Sequence, residues 1–172
     1  MTQKTIPADT GRSPWWWVPT LYFAEGLPYM AVMTISTIMY KVLGIDNTSL
    51  AFYTAWLYLP WVIKPFWSPF VDIIRSKRWW VVTMQWVIAV AMALIALTIP
   101  ASGFFRLTLA VFWLMAFASA THDIAADGFY MLALSEHRQS LFVGIRSLFY
   151  RVSMIVGQGG LVVVAALTGD HW

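Results

Sequence analysis

Long apolar stretches of this chain carry charged residues near their centres, which leaves few folds open to it. Residues 113–134 are apolar enough to cross a bilayer, yet they contain Asp123 and Asp127, one helical turn apart. The next apolar stretch contains Arg146 and Arg151. A charge at the bilayer centre costs roughly 2.5–3.5 kcal/mol on insertion scales, so such residues persist where they face protein or a water-filled path. The pattern therefore predicts a polar route through a helix bundle, for a substrate or for protons.

Composition places the chain among integral membrane proteins. Of its 172 residues, 60% are hydrophobic and 11% are charged, whereas soluble domains average about 25% charged residues. The absence of cysteine excludes disulfides, thiolate metal sites and a thiol nucleophile. The net charge of +3 is not gathered into a basic patch with interleaved aromatic residues, so nucleic acid is not an expected partner. We expect the lipid bilayer as a partner, and no metal or other cofactor.

Apolar segments predict about five transmembrane helices in an all-α bundle. They lie at about 15–40, 48–70, 79–99, 106–134 and 140–168. The chain is accordingly divided into a disordered cytoplasmic tail, 1–14, and a transmembrane helical bundle, 15–172. In the first segment Pro28 removes a backbone donor and should kink the helix. Asp46 or Asn47 is expected to cap the second.

Basic residues predict the orientation. With the N-terminus in the cytoplasm, cytoplasmic segments contain six basic residues and external segments contain two, in agreement with the positive-inside rule. The six are Lys4, Arg12, Arg75, Lys77, Arg78 and Arg138, and the two are Lys41 and Arg106. We expect a multi-pass protein of the inner (cytoplasmic) membrane with a cytoplasmic N-terminus.

The carboxylates of the fourth segment share one helical face. Ser119, Asp123 and Asp127 are spaced four residues apart, which aligns them on a helix. Each carboxylate can coordinate a substrate or take up a proton, or it can form a structural ion pair with an arginine of the neighbouring helix. Arg146 is close enough to the end of its segment to reach the headgroups. Arg151 lies deeper, so it is the preferred ligand for a substrate carboxylate or phosphate.

Three further ionisable residues lie within apolar segments. Glu25, near mid-membrane, is expected either to line a cavity or to bond a tyrosine inside the bundle. Lys64 is expected near the cytoplasmic end of its segment, where it snorkels or pairs. His122 can shuttle protons, although a hydrogen bond at a helix contact is the simpler expectation. The candidate substrate-binding or proton-coupling residues are Glu25, Asp123, Asp127 and Arg151.

An acidic residue followed by several cations joins the second segment to the third. The residues are Asp72, Arg75, Lys77 and Arg78. Such a cluster can latch the cytoplasmic ends of helices together, and breaking the latch is a way to switch between two states. The alternative is a loop that only sets the orientation of the protein.

These motifs resemble those of a known transporter superfamily. The loop with Ser68 and Asp72 is similar to the conserved loop between helices two and three of the major facilitator superfamily. More narrowly, the chain resembles the AmpG-type muropeptide permeases of that superfamily. The matching motifs are Gly26-Leu27-Pro28, the run 64–69 with Asp72, the run 118–127, and Tyr150-Arg151.

The resemblance implies a secondary transporter for proton-coupled uptake of cell-wall muropeptides. The alternative substrate class is that of acetyl-CoA-type or other organic-anion facilitators. The resemblance also implies two six-helix halves with the substrate between them. We therefore expect these five segments to be part of the N-terminal half, with the missing C-terminal half as a partner.

Two alternatives belong to other functional classes. One is a membrane acyltransferase, because His122 and Asp127 have the His-x4-Asp spacing of a base and its orienting acid. Residues five apart diverge on a helix, which disfavours that pairing. The other is a truncated, non-functional module. We expect no enzyme, and neither a catalytic nor a metal-ligating residue.

Overall fold

The computed structural model of the protein describes residues 13–168, without the side chains at 161, 162 and 164–168. All but the last two residues of the predicted tail at 1–14 lie outside the described residues. Within that range the secondary structure is helical. The α-helices are α1 (Pro14–Met30), α2 (Ser36–Val42), α3 (Asn47–Trp56), α4 (Leu59–Val62), α5 (Lys64–Ile74), α6 (Lys77–Thr98), α7 (Phe104–Ala133) and α8 (Glu136–Thr168). A π-helical stretch, Ala31–Ile35, joins α1 to α2.

Within the described part of the chain, three helices are each long and apolar enough to cross a bilayer. They are Lys77–Thr98, Phe104–Ala133 and the Glu136–Gly160 part of α8. A span needs about 20 apolar residues, and each of these helices has that length. They correspond to the third, fourth and fifth predicted spans. The prediction of an all-α membrane bundle is confirmed.

The first predicted span is helical from Pro14 to Val42 but changes its winding on the way. The π-helical stretch begins at Ala31, three residues after Pro28. Proline cannot donate to the helical ladder, and a local π-helical turn is one way in which the neighbouring backbone regains hydrogen bonds. The irregularity that the sequence predicts therefore appears as a widened turn within a continuous helix.

The second predicted span is divided into α3, α4 and α5. Pro60 and Pro65 each lie in the first turn of a helix, where the missing N–H has no helical partner to lose. Asp46 caps α3 by accepting hydrogen bonds from two backbone N–H groups, which confirms one of the predicted caps. Because α5 begins at Lys64 and continues to Ile74, the predicted loop shortens to Arg75 and Ser76.

The bundle is organised around α7, which packs along α6 and also contacts α1, α4 and α5, while α1 packs along α8. Small residues of α7, such as Ala116 and Ala120, are fully buried and allow close approach. Gly26 serves the same purpose between α1 and α8. A Cβ at that position would collide with the Ser153 hydroxyl and lie 2.9 Å from the carbonyl oxygen of Tyr150.

Candidate functional site

Asp127 lies at the centre of a polar cluster formed by α1, α7 and α8. Its Oδ1 accepts a hydrogen bond from the Tyr22 hydroxyl at 2.9 Å and forms an ion pair with Arg146 Nη2 at 3.1 Å. The guanidinium of Arg146 also lies over the rings of Tyr22 and Tyr130, at 4.7 and 5.2 Å from their centroids. Cation–π contact and the ion pair together fix the direction of this arginine within the membrane.

Asp123, one turn earlier on α7, has different partners. Its Oδ2 lies 2.7 Å from Lys64 Nζ and accepts a hydrogen bond from the indole N–H of Trp61 at 3.0 Å. The carboxylate is buried, and its second oxygen has no hydrogen-bond partner among the described residues. The pair ties the broken second span to α7, because Lys64 opens α5 immediately after the interruption at Ile63.

Glu25 is the third carboxyl group in this region, and no cation pairs with it in the described chain. The residue is 8% exposed, and its Oε2 has no hydrogen-bond partner within the described part of the chain. Because Glu25 is buried and lines a cleft whose other lining residues include residues of α8, it faces protein instead of lipid.

These groups border an open cleft between α1 and α8. Its volume is about 390 Å³, and its lining residues are Tyr22, Glu25, Arg146, Ser147, Tyr150, Arg151 and Met154. Arg151 is exposed and forms no ion pair within the described residues. The cleft therefore combines an arginine held by Asp127, an arginine without an acidic partner, and a buried carboxyl group.

Aromatic rings connect the cleft to the second ion pair. The ring of Tyr29 lies 6.4 Å from that of Tyr150, a lining residue, and 5.1 Å from that of Trp61, centroid to centroid. Trp61 in turn donates its hydrogen bond to Asp123. These contacts join α1, α4, α7 and α8 in a continuous chain of side chains.

The structure pairs the predicted residues in a way that the sequence left open. Asp127 takes an arginine of the neighbouring helix, as one of the two interpretations allowed. Lys64, expected either to snorkel or to pair, pairs with Asp123, and Arg146, for which snorkelling was one alternative, pairs with Asp127 and lines the cleft. Arg151 lines the same cleft.

Sequence reasoning placed Tyr22 beside Glu25 but missed its hydrogen bond to Asp127, and it missed Trp61. The signal available was the alternation of aromatic and ionisable residues: Tyr22 lies one turn before Glu25, and Trp61 three residues before Lys64. Residues with that spacing share a face on a continuous helix, which the sequence predicts for both segments, so a polar aromatic group next to a buried charge is a candidate hydrogen-bond donor.

His122 lies on another side of α7, away from this cluster. It is fully buried, and its Nε2 is 3.3 Å from the side-chain nitrogen of Gln85 on α6. Asp127 instead bonds Tyr22 and Arg146. The two residues of the His-x4-Asp pattern thus have separate partners, and the base–acid pair of an acyltransferase is not formed.

The predicted latch loop makes contacts with α7 as well as within itself. Asp72 and Lys77 form an ion pair, and the guanidinium of Arg75 lies over the Trp79 ring at 5.9 Å. The Lys77 side chain crosses Gly128, where an added Cβ would lie 2.6 Å from its Cε. The latch residues therefore touch α7 at the position that follows Asp127. Arg78 instead lines a second cavity of about 490 Å³ between α1 and α6.

Comparison with protein families gives a match that covers most of the chain. The model of the BT1 family matches residues 23–170. The match includes α7, α8 and all the residues of the cleft except Tyr22.

Two curated relatives show what kinds of protein the chain is similar to. A putative transporter AmpG 4 of Rickettsia conorii is 26% identical over 163 residues, which cover 88% of this chain and 38% of the relative. The anhydromuropeptide permease of Escherichia coli K12 is 29% identical over 157 residues, covering 88% of this chain and 31% of the permease. The chain thus spans about a third of the length of these relatives. No solved structure matches significantly. The resemblance to an AmpG-type family that the motifs indicate is confirmed.

Proposed function

We propose that this chain, which belongs to the BT1 family, is part of a secondary transporter that carries an organic anion across the membrane together with protons. The observation that carries the proposal is the contact of Arg146 with Asp127 at the edge of an intramembrane cleft. Ionisable residues within spans are expensive and mark substrate or proton pathways by default. A guanidinium is also the side chain best suited to bind a carboxylate or phosphate.

Competition for Arg146 gives the site a means of coupling. In this structure Asp127 forms an ion pair with the Arg146 guanidinium and accepts a hydrogen bond from the Tyr22 hydroxyl. When a proton neutralises Asp127, Arg146 loses its counter-ion and becomes available to an anionic substrate in the cleft. Proton uptake and substrate binding then favour the same state, which is the linkage that a symporter needs.

The substrate we propose is a cell-wall muropeptide of the anhydro type. The name of the Escherichia coli permease supports this choice. So does the lining of the cleft, which contains two arginines and the aromatic ring of Tyr150. Arginines suit the carboxylates of a peptide, and aromatic faces suit the apolar face of a sugar ring. Any other organic anion is an outcome that the assay below distinguishes.

The rest of the transporter is proposed to follow the same scheme. We place the protein in the inner membrane with its N-terminus in the cytoplasm, and we propose a second helical half as the other wall of the substrate path. Asp72 with Arg75, Lys77 and Arg78 would then act as a cytoplasmic latch. Its contact with Gly128, next to Asp127, supports a link between the latch and the site.

The proposal is tested by uptake of a labelled anhydromuropeptide into vesicles or cells that contain the intact protein, with and without an inward proton gradient. We expect gradient-dependent uptake in the wild type. Asp127→Asn and Arg146→Gln should each abolish uptake while leaving membrane insertion intact. Uptake that continues in both variants would show that the pair has no role in transport.

Matched controls are available at exposed positions. Asp46→Asn keeps a residue type that caps helices well, and Arg106→Gln removes an exposed arginine at the start of α7. Neither residue belongs to the cleft, so both variants should transport as the wild type does. Gradient-driven uptake of a simple organic anion, with none of the muropeptide, would favour the organic-anion alternative.

A further inference from the structure

Two of the charged residues around the cleft form no ion pair with any described residue, and they lie on opposite walls of it. Asp123 is neutralised by Lys64, and Asp127 by Arg146. Two lining residues of opposite sign remain, namely Glu25 on α1 and Arg151 on α8. Neither takes part in an ion pair in the described part of the chain, and they are not paired with each other.

Of the two residues, Glu25 is the one whose charge is costlier to leave unpaired, because it is buried and Arg151 is exposed. At 8% exposed it is more than nine-tenths buried, and its Oε2 lacks any hydrogen-bond donor in the described residues. A buried carboxylate without a donor or a counter-ion is costly, and the cost is relieved when a ligand supplies both. The residue lines the cleft, so a ligand that enters the cleft can reach it.

We propose that the cleft binds a dipolar ligand, whose ammonium group is bound by Glu25 and whose carboxylate is bound by Arg151. This inference rests on the proposed function and specifies the substrate of the same site. The two side chains belong to facing helices, so the two charged groups of the ligand must be separated enough to meet opposite walls. A muropeptide whose peptide ends in a residue with both a side-chain ammonium and a free carboxylate has that chemistry.

Arg146 and Asp127 do not replace these two residues as ligand groups in the described state. The Arg146 guanidinium is already bound by Asp127 and lies over two tyrosine rings. Asp127 already accepts a hydrogen bond from Tyr22 and forms an ion pair with Arg146. Arg146 becomes available to an anionic group only when Asp127 is protonated, whereas Glu25 and Arg151 are available in this structure, so substitutions in the two pairs should have separable effects.

The test compares three probes in the uptake assay on the intact protein. The first is an anhydromuramyl tripeptide that ends in lysine. The second is the same molecule with the lysine ammonium acetylated, and the third has its C-terminal carboxylate converted to an amide. Loss of a hydrogen bond to a charged group is worth a factor of roughly ten to a hundred in affinity. We expect wild-type protein to favour the first probe over each of the others by that factor.

Two variants test which residue is responsible for the preference for the free ammonium and which for the preference for the free carboxylate. Glu25→Gln should lose the preference for the free ammonium and keep the preference for the free carboxylate, and Arg151→Gln should do the reverse. Glu136→Gln and Arg106→Gln remove the same charges at exposed helix starts and should leave both preferences unchanged. The comparison of probes in wild-type protein needs no variant, so it stands even if a variant fails to fold.

The outcomes separate this inference from the function it rests on. Equal uptake of all three probes by wild-type protein would overturn the dipolar ligand and leave muropeptide transport standing. So would a Glu25→Gln variant that slows all three probes equally, since that result would make Glu25 a proton carrier. Failure of wild-type protein to take up any probe would overturn the proposed substrate and the inference with it.

Discussion

Lys64→Met should destabilise the protein, because it leaves a buried carboxylate without its cation. Lys64 Nζ lies 2.7 Å from Asp123 Oδ2, and the side chain of Asp123 is 10% exposed. The other oxygen of that carboxylate, Oδ1, has no partner among the described residues. Removing one member of a buried ion pair costs about 3–5 kcal/mol, whereas a pair exposed to solvent contributes no more than about 1 kcal/mol.

A second substitution separates the ion pair from simple loss of packing. Asp123→Asn in the Lys64→Met background removes the stranded charge and keeps an oxygen that can accept from the Trp61 indole. The double variant should therefore be more stable than Lys64→Met alone. We expect an interaction energy of about 1–3 kcal/mol from the double-mutant cycle, as found for residues in direct contact.

The measurement is unfolding of the purified protein from mild detergent into SDS, followed by tryptophan fluorescence. Lys41→Met is the matched control, because Lys41 is exposed at the end of α2. It should change the free energy of unfolding by less than about 0.5 kcal/mol. If Lys64→Met is as stable as Lys41→Met, Lys64 extends to the headgroups instead, and the reasoning from the ion pair is refuted.

Three further predictions follow from close approaches and from topology. Gly128→Ala should lower uptake, because its Cβ would displace Lys77 from the latch, whereas Gly144→Ala, with nothing within 4 Å, should not; equal uptake in the two variants would refute the link. Gly26→Ala should lower the free energy of unfolding by about 1–3 kcal/mol by forcing α1 away from α8, and unchanged SDS unfolding would contradict that contact. Since the chain has no cysteine, Arg75→Cys should react with an impermeant maleimide only in permeabilised cells, and reaction in intact cells would invert the orientation.

Much of the fold could be predicted from the sequence, because its signals are local. Hydropathy locates the apolar helices α6, α7 and α8 to within a few residues at most ends. The cap at Asp46 and the irregularity after Pro28 follow from the hydrogen-bonding capacity of single residues. The division of the second span was harder, since three prolines within it mark where helices can begin without saying which positions break.

The pairing of charges could not be predicted, because it depends on how helices cross. Asp127 and Arg146 are on consecutive helices, so their contact was one of the open alternatives. Asp123 and Lys64 come from α7 and α5, which are separated along the chain by α6. The interruption between α4 and α5 places Lys64 at the first position of α5. No pattern in the sequence predicts where that interruption lies relative to Asp123 in the bundle.

The unpaired state of Glu25 is a tertiary property of the same kind. The sequence allowed either a bond to a tyrosine or a position at a cavity. In the structure the nearby Tyr22 hydroxyl donates to Asp127 instead. Tyr22 has two acidic residues nearby, Glu25 on its own helix and Asp127 on α7. Which of them accepts its hydrogen bond depends on how α1 and α7 pack together.

The most direct test of the site is whether the cleft is open to water and closed by ligand. Ser147 lines the cleft, and the next residue, Leu148, is 57% exposed and does not line it. Ser147→Cys should react with a water-soluble methanethiosulfonate reagent, and saturating anhydromuropeptide should slow that reaction. Leu148→Cys should be unreactive in either case. A Ser147→Cys variant that does not react, or that reacts equally fast with the muropeptide present, would contradict a ligand site between α1 and α8.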